Sequence, residues 1–231
     1  MSRSAAAPAA GSGLALLRLL QLASPALPVG AYSYSQGLEA AAECAQVRDA
    51  ASARAWIAGV LQHGMARMEA PVFLRLQRAW EAGDLDAARA WNERFLASRE
   101  SAELRAETVQ MGFSLRRLLE RLVDAQALAG IDQPAFPAAF AFAAAAFAIP
   151  AGEALLAYLW SWLENQVMAA VKIVPLGQTE GQTMLFELAP LAAAAADTAR
   201  DVEDARLGAI MPRLALLSMR HEAQYSRLFR S

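Results

Sequence analysis

The sequence predicts an all-α protein, an irregular multi-helix bundle in a single domain. Three observations predict it. Core-type residues recur at steps of three and four, as in Leu104, Thr108, Met111, Leu115, Leu118 and Leu122. No period-two run of β-branched residues is present. Hydrophobic residues make up 56% of the chain, above the usual globular share. Much of that excess is Ala, which raises helix propensity without adding much core volume. The 231 residues suffice for one contiguous core, and no internal stretch has a linker's composition. There is no internal repeat, so consecutive helices joined by short turns are expected.

Each element has its own signal. Residues 1–13 are small, polar and punctuated by Gly and Pro, and are expected to be disordered. Arg18 interrupts the only apolar run that follows, which argues against a signal peptide. A short helix is expected over 14–22, then turns at Ser24-Pro25 and Pro28-Val29-Gly30. Ser33, with Gln36 three residues on, reads as a capping box for a helix running through Glu39 toward Gln46. Over 52–68, Trp56, Val60 and Gly64 share one side at helical spacing. Pro71 suits the first turn of a helix through Trp80. Gly83-Asp84 stops that helix, and Asp84 caps the next, which aligns Ala88, Trp91 and Phe95.

The periodic run over 101–123 places Arg105, Glu107, Arg116 and Glu120 on its outward face. An Ala-rich buried helix is expected over 136–149. The helix over 153–172 carries the apolar stripe Leu156, Trp160, Leu163, Val167 and Ala170. Val174-Pro175-Leu176-Gly177 breaks the chain, and 178–196 resumes as helix with an interruption at Pro190. Helices over 201–211 and 212–229 close the sequence. Residues 14–217 thus read as the helical domain and 218–231 as a tail.

Composition excludes several functions. The net charge of −2 gives no basic surface for nucleic acid. Cys44 alone cannot form an internal disulfide, which fits a reducing compartment. With only His63 and His221, the chain cannot build a nitrogen- and sulfur-liganded metal site by itself. No phosphate-binding Gly-rich loop or nucleophile elbow is present. His63 reads as a packed or capped histidine. Residues 133–152 carry no charge and could match a bilayer's thickness. Pro134, Pro137, Pro150 and Gly152 leave too short a helix there, so a buried core helix is expected.

Three features point to contact surfaces. Ser161, Asn165, Met168 and Lys172 form a polar seam flanked by apolar residues. Solvent-facing stripe and partner contact are both open readings. Tyr32 and Tyr34 after a Pro-Val-Gly turn read either as core filler or as an exposed aromatic anchor pair. In the last fourteen residues, Leu228 and Phe229 beside Arg227 and Arg230 have the composition of a binding hot spot. Such a segment can order on binding a partner.

Segments 22–39 (LASPALPVGAYSYSQGLE), 162–182 (WLENQVMAAVKIVPLGQTEGQ) and 218–231 (SMRHEAQYSRLFRS) together resemble the signatures of the UreF family of urease accessory proteins. Segment 98–119 is similar to the family pattern too. Members often carry a His before the Ala-rich helix, where this chain has Gln133-Pro134-Ala135-Phe136-Pro137.

The resemblance implies a cytoplasmic, dimerising helical protein that is not itself an enzyme, which agrees with the residues' own lack of a catalytic, cofactor or metal cluster. It implies a complex with UreD (also called UreH) and the GTPase UreG on the urease apoprotein, where nickel is delivered. It implies that the tail meets UreD through Arg220, His221, Tyr225, Arg227, Leu228 and Phe229. Tyr32, Glu39 and Lys172 fall in the blocks that face or shape the GTPase site. Two other classes stay in view. One is an enzyme using Glu164 or Glu39 as base near Lys172; the other is a membrane-associated helical protein using residues 133–152.

Overall fold

The structure, a computed structural model, describes residues 10–209 and 211–231. Of the segment expected to lack order, residues 1–9 lie outside the described residues, and the rest opens α1 (Ala10–Ala23). The described residues form helices and turns, with no strand among them. After a 3-10 turn at Ala31–Ser33 come α2 (Leu38–Glu43) and α3 (Ala50–Val60). A π-helical segment, Leu61–Glu69, carries α3 directly into α4 (Ala70–Glu81). Then follow α5 (Leu85–Ala97), α6 (Ala102–Leu119), α7 (Gln126–Ala129), α8 (Phe136–Ala146), α9 (Ala151–Ile173), α10 (Gln178–Asp201) and α11 (Pro212–Glu222).

The Ala-rich α8 sits at the centre, packed on α4, α6 and α9. Ala138, Ala139, Ala141, Ala143 and Ala144 are fully buried, and their small side chains let neighbouring helices approach closely. Having no polar side chain, α8 is held at its ends by buried polar groups of other helices. The amide of Ala135 donates to Asn92 Oδ1 at 2.8 Å, and that of Phe136 to Thr108 Oγ1 at 3.1 Å. Gln77 Nε2 donates to the Ile149 carbonyl at 2.9 Å. These bonds satisfy main-chain groups that helix ends leave unpaired. Gly112 of α6 lets the 134–135 backbone cross it, since a Cβ there would stand 1.9 Å from the Pro134 oxygen. Residues 133–152 are therefore a core element, and no helix among the described residues is long and apolar enough to cross a membrane.

Prolines behave differently in two places. Pro71 cannot donate to residue 67, and the Arg67 carbonyl instead accepts the Gly208 amide at 3.3 Å. His63, in the preceding π segment, is exposed rather than packed or capped. Pro190 does not interrupt α10, which runs unbroken to Asp201.

Other expectations need correction. The Ser33–Gln36 capping box does not form. Gln36 and Gly37 both take positive φ (52° and 77°), and α2 starts only at Leu38. Among the described residues of the helix expected over 201–211, Asp201 ends α10 and only a 3-10 turn at Asp204–Arg206 follows. Arg75 takes the Val202 carbonyl at 2.7 Å and Arg94 the Asp204 carbonyl at 2.7 Å, so tertiary bonds replace helical ones. Leu156 and Trp160 face outward; the N-terminal half of α9 buries Leu155, Tyr158 and Leu159 instead, while Leu163, Val167 and Ala170 are buried as expected. Leu122 lies past the end of α6 and is exposed. Glu107, placed on the outward face by periodicity, is 5% exposed.

The closing helix stops at Glu222 rather than near Phe229. Arg227 explains the stop: its guanidinium takes the Glu222 and Gln224 carbonyls at 2.9 and 3.1 Å. The amides of Leu228 and Phe229 turn to a side chain of α2 instead of continuing the helical ladder.

Candidate functional site

That side chain is Glu39. It sits in the first turn of α2, buried, with Ser35 Oγ accepting its amide at 3.3 Å. Its Oε1 accepts the Leu228 amide at 2.7 Å, and its Oε2 accepts the Phe229 amide at 2.9 Å. Charge-assisted bonds of this kind are about twice as strong as neutral ones. His221 Nε2 lies 3.1 Å from Glu39 Oε2, and His221 Nδ1 lies 2.7 Å from Glu103 Oε2 on α6. Arg227 reaches the other Glu103 oxygen at 2.5 Å. Glu39 and Glu103 together clamp α11 and the segment after it.

The docking continues to the last residue. The Arg230 amide donates to the Ser33 carbonyl, and the Ser35 amide to the Ser231 main-chain oxygen, both at 2.8 Å. Ser231 Oγ donates to Glu107 Oε2 at 2.7 Å. Ser101 caps α6 and contacts Ser218 Oγ at 2.6 Å, while Glu222 accepts the Ala102 amide at 3.0 Å. Phe229 is buried, with Lys172 Nζ 5.7 Å from its ring centroid.

Beneath the segment lies a pocket of about 230 Å³ between the 22–36 loop, α6 and α9. All four residues of the polar seam, Ser161, Asn165, Met168 and Lys172, line its wall. Asn165 Nδ2 donates to the Tyr34 carbonyl at 3.1 Å and so ties the seam to the loop. A hydrogen-bonded row crosses the pocket. Trp162 Nε1 donates to Gln36 Oε1 at 2.7 Å, and Gln36 Nε2 donates to Glu107 Oε1 at 2.7 Å. Deeper, the Tyr158 hydroxyl donates to Glu69, whose other oxygen meets Arg99 at 3.2 Å. Phe73, Phe136 and Phe140 pack around the Tyr158 ring and fix it there.

This environment is buried and acidic, and it moves titrations. Burial pushes the Glu107 carboxyl up to about 7; the Ser231 hydroxyl and the Gln36 amide oppose the shift, the Glu69 charge adds to it, and Arg99 opposes it. Burial and then the Glu69 charge raise Tyr158 well above its ordinary value. Burial, with Glu107 adding, raises Tyr34. Burial also raises Glu164, which lines the same pocket.

The sequence-predicted residues divide into two groups. Glu39, His221 and Phe229 are buried and hold the chain's own C-terminal segment. Tyr32 (67% exposed), Tyr225 and Leu228 (73% exposed) face outward. Lys172, Arg220 and Arg227 are exposed as well; Arg220 donates to Cys44 Sγ at 3.6 Å, while Arg227 also reaches inward to Glu103. Tyr32 and Tyr34 take opposite fates, since Tyr34 is core. Tyr32 and Lys172 form one recess with Leu228, Phe229 and Arg230, continuous at those two residues with the deeper pocket. Sequence reasoning missed Ser35, Glu69, Glu103 and Ser231. Glu103 and Glu107 lie four apart, beside the core positions Leu104, Thr108 and Met111, and that spacing was the available signal. Among the described residues, no group of three or more His, Cys, Asp or Glu side chains could hold a metal ion.

Fold and site together define an all-helical protein whose buried acids anchor its own C-terminal segment and leave aromatic and basic side chains outward. Comparison with known proteins gives the family. The UreF family pattern matches residues 47–189. The chain is 57% identical over 230 residues to the urease accessory protein UreF of Azoarcus sp. (strain BH72), covering 96% of this chain and 98% of that protein. It is 54% identical over 225 residues to the UreF of Dechloromonas aromatica (strain RCB), covering 94% and 98%. It is 52% identical over 222 residues to the UreF of Janthinobacterium sp. (strain Marseille), covering 94% and 98%. The chain belongs to the UreF family of urease accessory proteins.

Proposed function

We propose that this protein is a non-enzymatic scaffold that binds UreD (UreH) through its C-terminal segment and recruits the GTPase UreG to the urease apoprotein for nickel delivery. In this reading it works as a cytoplasmic homodimer, and nickel is cargo of the assembly. The observation that carries the reading is the two-sided C-terminal segment. Its inner side is fixed by Glu39, Glu103 and Glu107. Its outer side offers Leu216, Met219, Tyr225 and Leu228 beside Arg220. Exposed aromatics and arginines over apolar surface are the composition of interface anchors. The recess at Tyr32 and Lys172 adjoins that segment and is the second contact, for the GTPase. The enzyme alternative gains no support from Glu39, because the carboxylate is taken up by two amides and a histidine.

Light scattering after gel filtration tests this. Full-length protein alone should have a dimer's mass and should take up UreD. A truncation ending at Leu217 should stay folded but fail to form the complex. Equal binding by the truncation would overturn the role of the segment.

A further inference from the structure

His221 has no exposed surface, and each of its ring nitrogens faces a carboxylate oxygen. An ionised carboxylate only accepts, and a neutral imidazole donates from one nitrogen alone. Neutral His221 with ionised Glu39 and Glu103 would set a ring lone pair against an oxygen lone pair. The three groups satisfy one another only with one further proton, on the ring or on an acid. A second acid lies under the same C-terminal unit: Glu107, whose two oxygens meet Ser231 Oγ and Gln36 Nε2.

We propose that docking of residues 212–231 is coupled to proton uptake, with the His221–Glu39–Glu103 cluster and the Glu107 carboxyl each holding a proton that is given up when the unit leaves. The inference does not depend on which protein meets the outer face.

The surroundings of both groups favour this. Glu39 faces His221 from α2 and Glu103 from α6. The cation on the tail beside it, Arg227, is bound to the other oxygen of Glu103. On α11 itself, Glu222 is turned to the start of α6 and Arg220 to Cys44. Glu107 is approached by Ser231 from the tail, by Gln36 and Tyr34 from the loop, by Glu69 from the π segment with Tyr158 of α9, and by Arg99 from the turn before α6. Burial is the leading reason its carboxyl is pushed up to about 7. In water, a free glutamate gives up its proton near about pH 4.3. At Glu107 the docked state therefore binds the extra proton between that value and about 7, and docking weakens as pH rises through that window.

The test uses the full-length protein carrying Cys44→Ser and Tyr225→Cys, labelled with a fluorophore at position 225, where the native side chain is fully exposed. Anisotropy is read from pH 6 to pH 9. The label should be immobile at pH 6 and become mobile as pH rises, with the docking constant falling about tenfold per pH unit for each proton released. Glu107→Gln should stay docked and lose the dependence between pH 6 and 7. Glu103→Gln, whose amide can donate to a neutral ring, should stay docked and lose the part of the dependence that Glu107→Gln keeps. His221→Gln should lose that same part. Constant anisotropy from pH 6 to 9, or unchanged profiles in the Glu107→Gln and Glu103→Gln proteins, would overturn the proposal.

Discussion

Glu39 and His221 are 182 positions apart in sequence and meet at 3.1 Å, both buried. Through that contact, a short helix near the start of the chain holds the segment that ends it. Glu39 also carries the amides of Leu228 and Phe229, so one carboxylate sets where three residues of the C-terminal unit lie.

Glu39→Ala should free the segment while leaving the bundle intact. Two amides and a histidine lose their partner, at a cost of roughly 1–3 kcal/mol for each buried group left unsatisfied. Trypsin cleavage after Arg227 and Arg230 should become much faster, with helix content by circular dichroism little changed. Unchanged protection would mean that Glu39 is not the anchor.

Phe229→Ala removes a buried ring packed beside Lys172 and should weaken docking by about 3 kcal/mol or more. The same protease assay reads it. Lys172→Ala should be milder, because an exposed cation–π contact is worth about 0.5–1 kcal/mol. Its larger effect should be on GTPase coupling, read as loss of urease activation with UreG present.

Gly112→Ala should be among the most damaging changes to the core. The added methyl would stand 1.9 Å from the Pro134 oxygen, and neither backbone can yield without moving α8 off Asn92 and Thr108. Overpacking with broken buried bonds costs about 3 kcal/mol or more. Thermal unfolding measures it, and a fall in Tm of only a degree would contradict the packing described.

Glu107 should make stability fall with pH. Its carboxyl titrates at about 7 when folded and near about 4.3 when unfolded. Between those values the folded protein binds the extra proton, so stability declines as pH climbs through the window and stays lower above it. The full contribution is of order 3 kcal/mol. Glu107→Gln should flatten denaturant midpoints across pH 5 to 7.5 and raise the midpoint at pH 8. A steeper profile in the variant would contradict the sign.

Much of the helical scaffold was legible because its signals are local. Asp84 caps α5 as its position foretells, accepting the Ala87 amide at 2.9 Å, and Ser101 caps α6 through the Leu104 amide at 3.1 Å. Breaks at Val174–Gly177 and at Pro212 fall where the prolines and glycine place them. Illegible features were those set by distant partners. Residues 201–211 have helical composition, yet Arg75 and Arg94 capture their carbonyls. Ser33 and Gln36 have the spacing of a cap, yet the 33–35 backbone is committed to residues 230 and 231. Glu107 sits at a position a charge usually occupies facing water, and its burial comes from the tail and the 22–36 loop meeting over it, through Ser231 and Gln36. Of the candidate site, the tail, the polar seam and Tyr32 could be found from residue type; Glu39 is reached only through the family resemblance, and Glu103 and Glu107 offer a spacing but no partners, because those lie more than a hundred residues away.

The most direct measurement is complex formation with UreD by Tyr225→Ala/Leu228→Ala, a variant that removes two outward side chains and none of the inward bonds. Mass by light scattering and trypsin resistance should be read on the same sample. The variant should keep its stability within about 0.5 kcal/mol, resist trypsin like the wild type, and bind UreD at least tenfold more weakly. Full binding by a variant with a docked segment would show that the outer face of the C-terminal unit is not the contact.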